Sequence, residues 1–360
     1  MSKVLAILLS SAVAFSEMCS GQAIFRPGDS GPAVKAEISD PQAVAIDNGG
    51  TLYIAENRNI IRRVDLRSGT ITTLQTKREL EEITSLAVNG KGKLLATEFE
   101  SSRVIKIDPA DGSVTTIAGG ERIDFSGDSG PAKQAGLSRP ESVTTDSADN
   151  VYFADLDHHR IRRVDAKTGV ITTIAGSGKQ DSGGDGGLAI DAGLEFPNGV
   201  VIDREGNVYI SQDGNGPAGG RVRRVDGKSG IITTVASSAK PGLTGDGGPA
   251  LAAGLDFPSN LLLDAMGNLY VVEGTNDRVR YINTHTQIIR TVAGSTNGFG
   301  GDGGPAVLAQ LDYPRSIAID SDGNLYIAEM VNHRVRRVDA RTGIIETVAG
   351  NGLPQHIHSF

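Results

Sequence analysis

Pro314-Arg-Ser-Ile-Ala-Ile-Asp-Ser-Asp-Gly-Asn-Leu-Tyr-Ile-Ala-Glu-Met-Val-Asn-His-Arg-Val-Arg-Arg-Val-Asp-Ala-Arg-Thr-Gly-Ile-Ile-Glu-Thr-Val-Ala-Gly350 is the stretch that decides the fold. It holds four short β-branched and aliphatic runs, 316–319, 324–328, 334–338 and 344–348, each bounded by Gly, Asp or Asn. Such runs read as strands, and 320–323 and 339–343 between them read as turns. The same sentence recurs five more times from Pro41 onward. Its tyrosine falls at Tyr53, Tyr152, Tyr209, Tyr270 and Tyr326, with Leu95 in the second copy, at spacings of 42, 57, 57, 61 and 56 residues. A unit longer than a hairpin and shorter than a domain fixes architecture before local propensity does.

Four antiparallel strands per copy, six copies and almost no helical periodicity predict an all-β chain. Its fold is a six-bladed β-propeller of four-stranded antiparallel blades, because radial repetition covers both faces of every sheet and leaves only short edges. The blades are expected near 41–75, 83–119, 140–176, 197–237, 258–294 and 314–350, within a propeller spanning 24–352 and ahead of a tail at 353–360. The third-to-fourth turn repeats at 65–69, 108–112, 165–169 and 226–230, ending each time in Gly; the fifth copy departs from it, with Asn283-Thr-His-Thr-Gln287.

Through the segments Pro-x-x-Val-x-x-Asp, Gly-Asn-Leu-Tyr-Ile-Ala-Glu, Asn-His-Arg-Val-Arg-Arg-Val-Asp and Thr-Val-Ala-Gly the chain resembles the NHL-repeat proteins. The last copy fits best; the second, which lacks the leading Pro, the Tyr and the Arg pair, fits worst. The resemblance implies a six-bladed propeller and says little about activity, because that family includes RNA-binding, protein-binding, cell-surface and lyase members. A propeller of the WD type is disfavoured, since the chain contains no Trp.

Five copies carry an insertion ahead of their first strand, at 28–33, 127–132, 184–189, 245–250 and 301–306, of the type Gly-Asp-Gly-Gly-Pro-Ala. Pro followed by Ala and Leu predicts one short helical turn in each. A calcium-loop reading is weak, since Ca²⁺ takes six to eight oxygens and each loop offers one or two carboxylates. Comparable insertions belong to the bacterial secreted members that the chain resembles.

That agrees with the N-terminus. Lys3, an apolar run over 4–15 and small residues up to Ala23 read as a secretory signal peptide over 1–23, too short to span a bilayer. The expected location is therefore secreted or periplasmic. The single Cys19 lies inside this leader, so no disulfide or thiol chemistry is expected after cleavage. The net charge of −8 argues against nucleic acid, whose binding needs several phosphates neutralised. The repeated arginines at 62–63, 162–163, 223–224 and 336–337 are expected to pair with the acids that end the second strands, Glu56, Glu98, Asp155, Glu273 and Glu329.

Specificity in a repeat scaffold sits where the copies differ. The two residues after the leading Pro line the mouth of the central channel, and they read Gln42-Ala43, Thr84-Ser85, Glu141-Ser142, Asn198-Gly199, Ser259-Asn260 and Arg315-Ser316. Gln42, Glu141, Asn198, Asn260 and Arg315 are the candidate ligand-binding residues. Glu141, Asn198 and Asn260 offer a carboxylate and two amide oxygens, a start for Ca²⁺ or another divalent cation. Lactonase propellers hold their metal with similar residue types, although no motif of theirs matches here. The alternative, a zinc–histidine lyase, lacks a ligand set: His159 and His333 occupy equivalent places in opposite blades, and the other blades have Asn59, Ser102, Gly220 and Asp277 there.

No nucleophile elbow or phosphate loop is present. The expectation is a monomeric, non-catalytic binding module with no resident cofactor. Its ligand would be a protein, a peptide or a small molecule on the long-loop face. The competing reading is a divalent-metal-dependent lactonase or lyase with its metal at the channel mouth.

Overall fold

The computed structural model describes residues 26–354 apart from 58, 121, 214–218, 238–241 and 243. The expected leader, Cys19, and most of the tail with His356 and His358 lie outside the described residues.

Six four-stranded antiparallel sheets form, each built from four strands consecutive in sequence. The first strands are Pro41–Ile46, Ile83–Val88, Pro140–Thr145, Pro197–Ile202, Pro258–Leu263 and Pro314–Ile319. They contact one another around the ring, and the sixth closes on the first, so first strands form the hub and fourth strands the rim. This is the expected six-bladed propeller. The strands of the last copy fall at Pro314–Ile319, Leu325–Glu329, Arg334–Val338 and Ile345–Ala349, within two residues of the expected bounds.

The core is six cores. Because successive side chains of a strand point to opposite faces, each second strand feeds two of them. Leu52 and Ile54 pack with Ala318, Tyr326 and Val335 of blade six, whereas Tyr53 and Ala55 pack with Leu86, Leu94 and Ile105 of blade two. Each tyrosine body thus spans a junction while its hydroxyl stays near the turn; Tyr53, Tyr152 and Tyr326 each donate to the turn Asp (47, 146 and 320) at 3.1 Å.

Hydrogen bonds stitch the blades at two levels. Ser85, Ser142 and Ser316 accept through Oγ the N–H of Val143, Val200 and Val44 on the next blade, each at 3.2 Å, and Asn260 Oδ1 accepts that of Ile317 at 3.3 Å. Above them, in blades one, two, five and six, the residue before the third strand accepts from the next blade's entry. Ser102 takes the Arg139 N–H at 3.2 Å, Asp277 the Tyr313 N–H at 2.9 Å and His333 the Asp40 N–H at 3.2 Å. The last of these lies at the seam between blades six and one.

The insertions form a belt. Each contains a single 3₁₀ turn, as expected: Ala33–Lys35, Ala132–Gln134, Ala189–Asp191, Ala250–Ala252 and Ala306–Leu308. They lie along the rim rather than on the loop face. Pro32, Pro131, Leu188, Pro249 and Pro305 bridge the start of their own blade's outermost strand, and the turn carbonyls reach the end of the preceding one. At the seam, Gly350 and Asn351 N–H donate to Ala33 and Ala36 at 3.0 Å. The belt lies on the rim because only outermost strands have a free edge to pair.

Candidate functional site

The insertion Asp has a structural partner. In four blades one fully buried guanidinium joins it to the acid ending the second strand. Arg62 reaches Asp29 and Glu56 at 3.0 and 3.2 Å, Arg162 reaches Asp128 and Asp155 at 2.9 and 3.0 Å, and Arg280 reaches Asp246 and Glu273 at 2.7 and 3.0 Å. Arg336 reaches Asp302 and Glu329 at 2.5 and 3.3 Å. Burial pushes Glu56 and Glu329 up to about 7 despite these partners.

The expected pairing holds for the first Arg of most pairs, with two departures; the second, at 163, 224 and 337, pairs instead with the hairpin acids Asp165, Asp226 and Asp339. In blade two Ile105 replaces the strand Arg and the insertion is missing; Arg78 of the short linker serves Glu98 instead, with two bonds of 2.7 Å. In blade four Gln212 replaces the acid, is fully buried, and has neither amide atom paired. These charges belong to the scaffold, with the belt Asp held by the buried guanidinium.

The hub is where the copies diverge. Glu141 of blade three and Arg315 of blade six stand on opposite sides of the six-fold ring, and the Arg315 guanidinium donates to Glu141 Oε1 at 2.7 Å. Only 14% and 21% of the two side chains remain exposed, so the pair bridges the channel. Burial raises the Glu141 pKa, and Arg315 and then Arg139 oppose the shift. The residues of the same rank around the ring are Gln42, Thr84, Asn198 and Ser259. Asn198 is 8% exposed with its Nδ2 unpartnered, and Ser259 Oγ is likewise buried without a partner. Gln42 stands half-buried.

The structure thus brings Glu141 and Arg315 together, and spends Asn260 on the seam to blade six. A cation would find one Glu141 oxygen on a guanidinium and the Asn260 oxygen on a backbone N–H, so the arrangement suits the ion pair better than a metal. Among the described residues no three His, Cys, Asp or Glu side chains converge as metal ligands.

Below the bridge, a channel of about 180 Å³ runs between the first strands. Its lining mixes polar side chains, Ser85, Ser142, Thr144, Asn260 and Ser316, with aliphatic residues of the blade-junction cores such as Val44 and Leu86. Exposure rises along the strands away from the mouth: Ala43 and Ser142 are buried, whereas Ile46, Val88, Val201 and Ile319 are half-exposed. The channel is therefore bridged on the loop face and open on the turn face.

Six non-glycine residues enter the first strands with left-handed backbone: Asp40, Glu82, Arg139, Phe196, Phe257 and Tyr313, at φ of 42, 30, 52, 41, 45 and 48°. Each such conformation costs about 1–2 kcal/mol, and strain of this kind concentrates at ligand clamps. Nothing in the residue types announces this ring, because ordinary residues occupy it. The histidine positions are left-handed too, His159 at 55° and His333 at 51°, and both serve seams: His333 on Asp40, and His159 edge-on to Phe196 with centroids 5.1 Å apart. Burial lowers the His159 pKa.

A second concavity of about 810 Å³, also unforeseen, lies between blades four and five on the turn face, by Arg204, Glu205, Met266 and His285. It is larger than the channel, and Arg204, Glu205 and Met266 sit at turn positions whose residue types also differ between blades.

The family model described as the teneurin NHL domain matches residues 6–120 and 296–357. Mouse (Mus musculus) teneurin-4 is 27% identical over 373 residues, covering 89% of this chain and 13% of that protein. NHL repeat-containing protein 2 of Bos taurus is 24% identical over 289 residues, covering 72% of this chain and 40% of that protein. The chain therefore spans well under half of these relatives. A solved structure described as an auxiliary nutrient binding protein from Bacteroides ovatus superposes with a TM-score of 0.64 at 18% identity, covering 92% of this chain and 74% of that one. At that identity the likeness is one of fold.

Proposed function

We propose, on the premise that the chain is an NHL-repeat six-bladed β-propeller, that it is an exported, non-catalytic binding module that takes a small molecule or peptide group at its hub. One observation carries the reading. The residues that stitch blades and belt recur from copy to copy, whereas Gln42, Thr84, Glu141, Asn198, Ser259 and Arg315 differ at one equivalent position. A scaffold under packing constraint alone has no reason to vary six polar residues around one axis. The unpartnered Asn198 and Ser259 support it, since buried polar groups are ordinarily paired. So does the ring of strained backbone around the mouth. Export is proposed from the apolar run over 4–15. No helix among the described residues is long and apolar enough to cross a membrane. The fold neighbour described as a nutrient binding protein agrees with a binding role by analogy only.

A thermal-shift screen against small metabolites and short peptides tests this. Hits on the wild type should vanish in Arg315→Ala and persist in Asp302→Asn, which acts on the Arg336–Glu329 cluster and on no hub residue. Metal analysis after purification without chelator tests the competing enzyme. A stoichiometric divalent cation lost on Glu141→Ala would replace the binding reading with the metal-dependent one.

A further inference from the structure

We infer that the rim edge of blade two, the strand Val114–Ala118, is a docking site for an extended peptide segment of a partner protein. The segment carries a carboxylate between two β-branched residues and adds to the blade as a fifth antiparallel strand. This site is separate from the hub and does not rest on it.

The other five blades seal this edge with their own belts. Ile71, Ile171, Ile232, Ile289 and Ile345 of the fourth strands each exchange two backbone hydrogen bonds with the belt at 2.8–3.1 Å and are 0% exposed. Two residues on, Thr73, Thr234 and Thr347 donate to the belt carboxylates of Asp29, Asp185 and Asp302 at 2.7–3.0 Å. Blade two has no belt, and Ile105 stands where a belt Asp would find its arginine. Its equivalents of the Ile and the Thr are Val114 and Thr116. The Asp108 N–H donates to the Ser113 carbonyl at 2.9 Å, so by alternation Val114 and Thr116 turn their N–H and C=O outward. Among the described residues nothing outside the sheet pairs with them, and Val114 is half-exposed. The open stretch is bounded: the Lys77 N–H takes the Gly112 carbonyl at 2.8 Å, and the Gly119 N–H donates to the Ala132 carbonyl at 3.1 Å. An edge left open in this way is a template for another strand.

Size and charge identify the occupant. Two outward residues cover far less than the about 800 Å² per partner of a stable interface, so the edge suits a single strand rather than a second propeller. The second arginines of blades three, four and six pair with their hairpin acids. Blade two has Lys106 in that place, and its hairpin acid, Asp108, is taken by Lys93. Lys106 makes no ion pair among the described residues, and it pairs in register with Thr115 on the open strand. A docked residue opposite Thr115 projects to the face that carries Lys106, where a carboxylate meets the ammonium. Its two neighbours exchange backbone hydrogen bonds with Val114 and Thr116 and project to the other face, where a β-branched side chain covers Val114.

An NMR titration of the isotope-labelled full chain with the peptide acetyl-Thr-Val-Glu-Val-Thr-amide tests this. The amides of Val114 and Thr116 should shift saturably, while those of Ile345 and Thr347 on the sealed edge of blade six stay fixed. N-methylation of both peptide valines removes the hydrogen bonds they donate and should weaken binding about tenfold. Exchanging the peptide Glu for Lys should weaken it about two- to fivefold, the range of an exposed ion pair. Lys106→Glu should reverse that preference. Val114→Pro removes one outward N–H from an edge strand, where proline is tolerated, and should weaken the peptide about fivefold.

The inference is overturned if the Val114 and Thr116 amides do not respond at millimolar peptide, if the N-methylated peptide binds as well, or if Lys106→Glu leaves the preference unchanged. Shifts of the same amides with protein concentration alone would also overturn it, because a second copy would then occupy the edge. A peptide that shifts only amides near Glu141 and Arg315 would overturn it too, and would leave the hub reading standing.

Discussion

Arg315 and Glu141, 174 residues apart in sequence, meet at 2.7 Å across the axis of the ring. They are the charged members of a six-residue position, they come from opposite blades, and their pairing bridges the channel on the loop face. A charge pair placed there holds two half-rings in register and occupies the Arg315 guanidinium.

Removing one partner should cost stability. Arg315→Ala leaves a mostly buried carboxylate unpaired, and a loss of about 1–3 kcal/mol is expected, below the ~3–5 kcal/mol of a fully buried pair because both side chains keep some exposure. Adding Glu141→Gln should restore part of it, and urea denaturation of the two single variants and the double variant gives the coupling.

Blade four lacks the acid that its neighbours place beside the buried Arg. Gln212→Glu supplies it at unchanged volume, next to Arg223 and in the place that Glu273 takes in blade five. The expected outcome is a gain of about 1 kcal/mol, the net value of a paired polar group, measured as a rise in Tm. A fall would mean that the Asp185–Arg223 pair, at 2.6 Å, already saturates the guanidinium.

The fifth hairpin keeps the turn of the others without its glycine. Gln287 N–H donates to the Asn283 carbonyl at 2.8 Å, as Gly343 does to Asp339, and its φ is 59°. Gln287→Gly relieves a left-handed side-chain residue and loses one Nε2 bond to Thr284. A net gain of about 0.5–1 kcal/mol is expected. An unchanged or lower denaturation midpoint contradicts this.

Stability should fall as pH rises toward neutrality. Glu56 and Glu329 titrate near 7 when folded against an ordinary value of 4.5, because burial disfavours the carboxylate. The folded state then binds these protons more tightly than the unfolded one. Their contribution is full below pH 4.5 and is lost as pH rises through 7. Asp165 and Asp226, held at about 2 by N–H and hydroxyl donors of Thr168 and Ser229, act in the opposite sense and lose their contribution only toward pH 2. Tm should therefore decline between pH 5 and 8, and Glu56→Gln with Glu329→Gln should flatten the decline.

The fold was legible because each copy repeats the same strand and turn chemistry, and a repeat of four strands has one economical way to cover both sheet faces. The belt turns were legible from Pro-Ala, and most of the arginine pairs from recurrence alone. What sequence could not supply was the third member of each cluster. The Asp of an insertion lies some 33 residues before its Arg, as Asp29 does before Arg62, and only the wrap of the insertion along the rim joins them. At the hub, the residue types at 141, 198 and 260 suggested a metal by composition. Geometry divides them: Asn260 takes the seam role that Ser plays in three other blades, which a reading by type cannot distinguish from a ligand role. The left-handed residues ahead of the first strands carried no glycine to announce them.

The most direct test of the hub as the binding site is amide hydrogen exchange of the protein with and without a hit from the metabolite screen. The account predicts ligand-induced protection in the first strands around Glu141, Asn198, Ser259 and Arg315, from at least three blades at once. Protection confined to the groove by Met266 and His285, or to the belt turns, would contradict it.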